Sequence, residues 1–162
     1  SWGKIKNDGY EFIPVTNENF NEKALSIHKL INEIFSNTWN FVPICQEEFI
    51  YNYNWTQSEK NCYIGIVENK NSEAIAFYFA HQDILNKRKK RLIFKIIGVK
   101  KEYRGIGLGD ALLYQIYRLG TQDKYDEFIF STMRGDNNRI LQMVGKECEI
   151  FRKYKTYELI VK

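Results

Sequence analysis

Residues 96–113 constrain this chain more than any other stretch. Ile96, Ile97, Gly98 and Val99 read as the end of an apolar strand, residues 100–109 as a polar turn, and Ala111, Leu112 and Leu113 as the opening of an amphipathic helix. Glycines alternate at positions 105, 107 and 109, so the turn can adopt positive φ and leaves its amides bare of side chains. Those amides are also the unsatisfied donors of a helix start, which carries about half a positive charge, so phosphate is their natural guest.

Spacing narrows the class of phosphate ligand. A P-loop requires Lys and Ser or Thr after its last glycine, whereas Asp110 and Ala111 stand here. A dinucleotide fingerprint needs Gly-x-Gly-x-x-Gly early in a βαβ unit, but this chain has Gly-x-Gly-x-Gly late in its length, preceded by Arg104. Neither nucleotide motif is supported.

The order of elements can be read around this stretch. Glu11 to Val15 is an expected first strand, with Pro14 placing it at a sheet edge. Residues 16–19 offer helix caps, and Phe20, Ala24, Ile27, Ile31 and Ile34 recur at helical spacing, leaving His28 off the stripe and expected in solvent. An aromatic segment, Trp39-Asn40-Phe41-Val42-Pro43, breaks that helix, and a short second helix is expected from Gln46 to Tyr53. Its rings are expected to bury in the core, with the wall of an acceptor pocket as the alternative. Strands follow at 62–68 and 74–81, joined as a hairpin, then at 91–99, and after the motif helix at 127–132. A further helix starts near Asn137 with Asp136 as a candidate cap, and residues 150–161 alternate as a closing strand.

Composition excludes several classes. The chain has 162 residues, enough for one domain with a real core, and residues 1–10 read as a polar extension ahead of a single domain at 11–162. No window reaches about 18 continuous apolar residues, so no membrane span is expected. The start lacks both the apolar core of a signal peptide and an initiator Met, which suggests a fragment or a processed chain. Cys45, Cys62 and Cys148 are odd in number and scattered, which fits reduced thiols and a cytoplasmic setting. His28 and His81 have no neighbouring ligands, so no metal site is expected. The run from Lys87 to Arg91 holds five positive charges against a net charge of +4 for the whole chain, so the basicity is local. It reads as a solvated hairpin loop, with a docking patch for an acidic partner as the alternative, and argues against a nucleic-acid footprint.

With these residues in view, the run from Val99 to Leu113 resembles motif A of the GNAT superfamily of acyl-CoA N-acyltransferases, Arg/Gln-x-x-Gly-x-Gly/Ala, matched by Arg104, Gly107 and Gly109. The resemblance extends over nearly the whole element order. It is closer to a bacterial branch with a Trp-x-Phe-Val-Pro segment after the first helix and Tyr-Lys-x-Tyr near the end, here Trp39 to Pro43 and Tyr154-Lys155-Thr156-Tyr157. The implied fold is α/β (α+β): a mixed, mostly antiparallel sheet of six to seven strands, splayed between the fourth and fifth, flanked by about four helices. The implied activity is transfer of an acyl group, in the first instance acetyl, from a CoA thioester to a primary amine by direct attack in a ternary complex.

The resemblance also assigns roles. Acetyl-CoA or another acyl-CoA is the co-substrate, held through Ile97, Val99, Arg104, Gly105, Ile106, Gly107, Leu108, Gly109, Asp110, Asn137 and Asn138, with no metal. The thioester is expected mid-sheet, near Ile97 and Ser131. The proton-handling residues stand out less. The strand position that often carries a catalytic Glu holds Lys95, the position of the acid that precedes the Ser of the fifth strand in the closer branch is Ile129, and the helix from Asn137 to Glu147 contains no Tyr. Tyr154 and Tyr157 are the candidate acids, with Cys148 a weaker one, and Glu47 with Glu48 could bind or deprotonate a cationic acceptor. A small-molecule or peptide amine is the expected acceptor. A homodimer and a place as the C-terminal domain of a longer chain are both compatible. The alternative function is a CoA-binding regulatory domain without turnover.

Overall fold

The computed structural model describes residues 2–38, 41–58, 62–131, 137, 141–142 and 148–155. The chain divides into two compact units, Ser1–Thr132 and Met133–Lys162.

The first unit is built on a five-stranded sheet in the order β1-β2-β3-β4-β5, formed by Glu11–Val15, Cys62–Glu68, Ala74–Gln82, Arg91–Val99 and Glu127–Phe130. The first three pairings are antiparallel and β4 runs parallel to β5. Strand β1 lies at an edge, where Pro14, which cannot donate to a ladder, faces Gly65. Strand β3 is central, and the run Ala74 to Ala80 is apolar without alternation because both of its faces are covered.

Helix α2 (Phe20–Phe35) covers one face of the sheet with Phe20, Ala24, Ile27, Leu30 and Ile31, packed against Ile64, Ile66, Phe77 and Phe79. Asn19 occupies the cap position, but its side chain turns back, accepting from the Thr16 amide at 2.8 Å and donating to the Pro14 carbonyl at 3.0 Å. Helix α3 (Gln46–Ser58) extends past Tyr53 and buries Phe49 on the same side. Helix α4 (Leu108–Gln122) covers the other face through Leu108, Ala111, Leu112 and Ile116. Each helix therefore follows an apolar stripe to the sheet face that can bury it.

Two features depart from expectation. Trp2–Asn7 forms a short helix, α1, whose Ile5 is buried with Val67 and Ile75, so the polar extension contributes to the core. His28 is half-buried, with Nε2 at 2.7 Å from the Ile44 carbonyl and its ring 5.6 Å from that of Phe49. The Ile44 carbonyl, ahead of α3, also accepts from Asn32 Nδ2 at 3.3 Å, so the described residues of that segment reach back to α2. Among the described residues the sheet has five strands; of the closing strand expected at 150–161, residues 150–155 carry no strand geometry and 156–161 lie outside the described residues.

In the second unit, the Leu141 amide donates to the Asn137 carbonyl at 3.1 Å, one turn of the expected helix. Ile150, Phe151 and Tyr154 are exposed there.

Candidate active site

Strands β4 and β5 pair only from Arg91 opposite Glu127 to Phe94 opposite Phe130. The Ser131 amide then donates to the Phe94 carbonyl at 3.1 Å and its hydroxyl to the Lys95 carbonyl at 3.3 Å. From Ile96 to Val99, β4 continues with β3 on one side and no described strand on the other. Among the described residues this leaves an open edge about 13 Å long, four residues at about 3.3 Å each.

The two peptide faces of this edge can be told apart. The Lys100 amide donates to Ile75 of β3 at 2.9 Å, whereas the Val99 carbonyl turns away from β3 and accepts from Arg104 Nε at 3.0 Å. Peptide groups alternate along a strand, so Val99 and Ile97 direct their backbone polar groups to the open side. The closed end of the split is marked by a bulge: Phe79 faces Ile96 while Ala80 faces Phe94, which leaves Lys95 as the extra residue on β4.

At the other end of the edge the glycine-rich turn takes the geometry that its sequence requires. A short 3₁₀ turn (Lys101–Tyr103) leads to Gly105 at φ +88° and Gly107 at φ +91°. Gly107 is the cap of α4, and the first helical bond runs from the Ala111 amide to the Gly107 carbonyl at 3.0 Å. The amides of Leu108, Gly109 and Asp110 are therefore the free donors of the helix start. A Cβ at Gly105, Gly107 or Gly109 would meet nothing within 4 Å, so this backbone faces open space. Ile106 is exposed, as are the side chains of Arg104 and Asp110.

Lys100 anchors the turn from below, pairing with Glu33 of α2 at 2.9 Å and Glu73 of the β2–β3 connection at 2.7 Å. The hydrogen bond from Lys100, and then that from Asn69, hold the Glu73 carboxyl below the usual carboxylate range. Arg104 and Lys101 have no carboxylate within ion-pair distance among the described residues, and so remain available to an anion. The cationic half of the turn was legible in the motif, whereas the Lys100 anchor involves two acids distant in sequence and was not.

The expected catalytic groups are placed as follows. Glu47 lies in the exposed first turn of α3, and hydrogen bonds from its own amide and then from Cys45 lower its carboxyl below the usual range, which weakens it as a proton acceptor near neutrality. Tyr154 is exposed and Asn137 half-buried, both within the second unit, while Tyr157 and Asn138 lie outside the described residues, as do Trp39 and Asn40. Phe41 packs on Phe35 with ring centroids 6.1 Å apart, as expected of a loop aromatic that joins the core.

The basic run is largely committed to local partners. Lys89 and Arg91 pair with Glu127, the Lys90 amide donates to Asp126 at 2.8 Å, and its ammonium caps the Asp123 carbonyl at 2.6 Å. Such a loop is a hairpin tied to the next strand. Among the described residues no group of three or more His, Cys, Asp or Glu could hold a metal ion, and no helix is long and apolar enough to cross a membrane.

No protein-family model matches the chain, and no curated protein matches it in sequence. Solved structures do match in shape. An aminoglycoside acetyltransferase from an uncultured soil metagenomic sample superposes with a TM-score of 0.69 at 14% identity, over 98% of this chain and 99% of that one. Glucosamine-6-phosphate N-acetyltransferase from Arabidopsis thaliana gives 0.69 at 14% identity, over 92% and 99%. The aminoglycoside N-acetyltransferase AAC(6')-Iy, bound to a bisubstrate analogue containing CoA, gives 0.68 at 13% identity, over 94% and 99%. The open edge, the bulge and the glycine-rich helix start thus lie in a chain that has the fold of the GNAT acetyltransferases.

Proposed function

We propose that this chain is an acyl-CoA-dependent N-acetyltransferase acting on a small-molecule amine. The observation that carries the reading is the continuity of the glycine-rich helix start with the open β4 edge, which together suit a long ligand with a pyrophosphate at one end and an amide-bearing arm beyond it. The amides of residues 105–110 and the Arg104 guanidinium hold the pyrophosphate. The pantetheine arm adds to Ile97 and Val99 as a surrogate strand, and Asn137 with Asn138 are proposed to steady it. The CoA-containing complex of a neighbour with the same fold supports the choice of ligand.

The thioester then lies at the closed end of the split. The amine nitrogen attacks the thioester carbonyl carbon, a C–N bond forms, the C–S bond breaks, and a proton lost from nitrogen finally resides on the thiol. Backbone donors of the open edge stabilise the oxyanion as charge develops. Tyr154 and Tyr157 are the proposed proton donors to sulfur, and Glu47 is the proposed contact for the acceptor. A second reading, a CoA-binding domain without turnover, draws on one observation: no carboxylate flanks Lys95 within ion-pair distance among the described residues.

The test is thiol release coupled to detection of the N-acetyl product across amino acids, amino sugars, polyamines, aminoglycosides and peptides. Acetylation of any of these amines, reduced in Tyr154→Phe or Tyr157→Phe, supports the enzyme. Binding of acetyl-CoA without acetylation of any amine favours the second reading.

A further inference from the structure

Lys95 is the extra residue of the β4 bulge, at the point where β4 and β5 part. Its backbone carbonyl accepts from the Ser131 hydroxyl, while its ammonium sits 5.4 Å from the Tyr53 ring centroid and 5.2 Å from that of Phe79. Two rings from different elements thus hold one cation on the α3 face of the sheet. The rings are themselves fixed: Tyr53 stacks on Phe49 at 4.6 Å and meets Phe79 edge-on at 5.5 Å. Beyond Phe79, His81 contributes an imidazole 5.7 Å away, hydrogen-bonded to the Gln82 carbonyl.

Lys23, Lys89, Arg91 and Lys100 each pair with at least one carboxylate, whereas Lys95, like Lys101 and Arg104 of the turn, has none within ion-pair distance among the described residues. Glu47 does not supply one from α3, because six residues place it about 240° around the helix from Tyr53. An ammonium fixed by aromatic faces and lacking a counter-ion is a ready partner for an anion, and it opposes the approach of a second cation.

We propose that Lys95 selects the acceptor, and that the acceptor is an amine that also carries a carboxylate or a phosphate, the acidic group pairing with the Lys95 ammonium while the amine reaches the thioester. The inference rests on the acetyltransferase reading above, which puts the thioester at the closed end of the split beside Lys95. It goes further than that reading in excluding polycationic amines as the preferred acceptors.

The experiment compares matched pairs that differ only in the acidic group: glycine with glycinamide, and glucosamine-6-phosphate with glucosamine, with spermidine as a polycation. The acidic member of at least one pair is expected to have a kcat/KM about tenfold or more above its partner, and the two pairs distinguish carboxylate from phosphate. Lys95→Gln should erase that ratio and Lys95→Arg should retain it, with the rise in melting temperature caused by acetyl-CoA unchanged in both. The inference is overturned if the acidic members have no advantage, if spermidine is preferred, if no amine is acetylated, or if Lys95→Gln leaves the ratio intact. Failure of acetyl-CoA to raise the melting temperature of the unaltered chain removes the acetyltransferase reading itself, and is distinguished in that way from failure of the Lys95 inference.

Discussion

Gly107 and Gly109 have the same side chain and different reasons for it. Gly107 sits at φ +91°, where a Cβ is strained, so Gly107→Ala should destabilise the fold by about 1–2 kcal/mol in chemical denaturation. Gly109 lies in the first turn of α4 without positive φ or crowding, so Gly109→Ala should be neutral or stabilise by up to about 1 kcal/mol. Buried and half-buried tyrosines offer a second measurement. Burial raises Tyr53, Tyr63, Tyr78 and Tyr125 above the usual phenol range, and the hydrogen bond to Asp123 raises Tyr63 further. A raised folded-state pKa favours the protonated form, so the associated stability is present below the unfolded value of about 10 and is lost as pH climbs beyond it. Phenolate absorbance from these residues should therefore appear together with loss of circular dichroism above about pH 10. Their titration near pH 10 in an intact fold would contradict this. At this scale the motif glycines were legible because helix starts and positive φ have sequence signatures, whereas His28 was misread because a stripe describes one face of a helix and not what a returning loop covers.

Among elements, the boundaries of β1, β2, β4 and α2 follow closely from alternation, helical spacing and turn residues. The six-residue α1 was not legible, since one buried Ile5 in a polar segment has no period. Nor was the bulge at Lys95, because register is a property of two strands and is not encoded in either alone. The Lys100 anchor, which ties the end of β4 to α2 and to the β2–β3 connection, is likewise a product of assembly. Lys100→Met should lower stability by about 1 kcal/mol, a modest figure because Glu33 and Glu73 are each about half exposed, and should weaken acetyl-CoA binding by loosening the turn. Guanidinium unfolding and calorimetric titration would measure the two effects separately, and unchanged affinity would show that the turn holds its shape without the anchor. Because hydrogen bonding lowers Glu73, its share of this network is present above the usual carboxylate range and is lost as pH falls through the depressed value.

For the molecule as a whole, the fold was anticipated through the resemblance to the GNAT superfamily that the glycine-rich turn and the order of elements carry, and each apolar stripe then finds the sheet face that buries it. The acceptor selection proposed for Lys95 was not legible, since the cation and the two rings beside it, Tyr53 and Phe79, come from three elements. What unites the molecule is the line from the helix start at Gly107 along the open edge of β4 to Lys95, read here as the path of an acyl-CoA. Thermal unfolding with and without saturating acetyl-CoA, for the unaltered chain and for Gly107→Glu, tests that line most directly. At a hundredfold excess over Kd the ligand contributes about 2.7 kcal/mol, a rise of about 5 °C or more for a domain of this size. The account predicts that rise for the unaltered chain and its loss in Gly107→Glu, where a carboxylate enters the proposed phosphate cradle. No rise in the unaltered chain, or an equal rise in a folded Gly107→Glu variant, would contradict it.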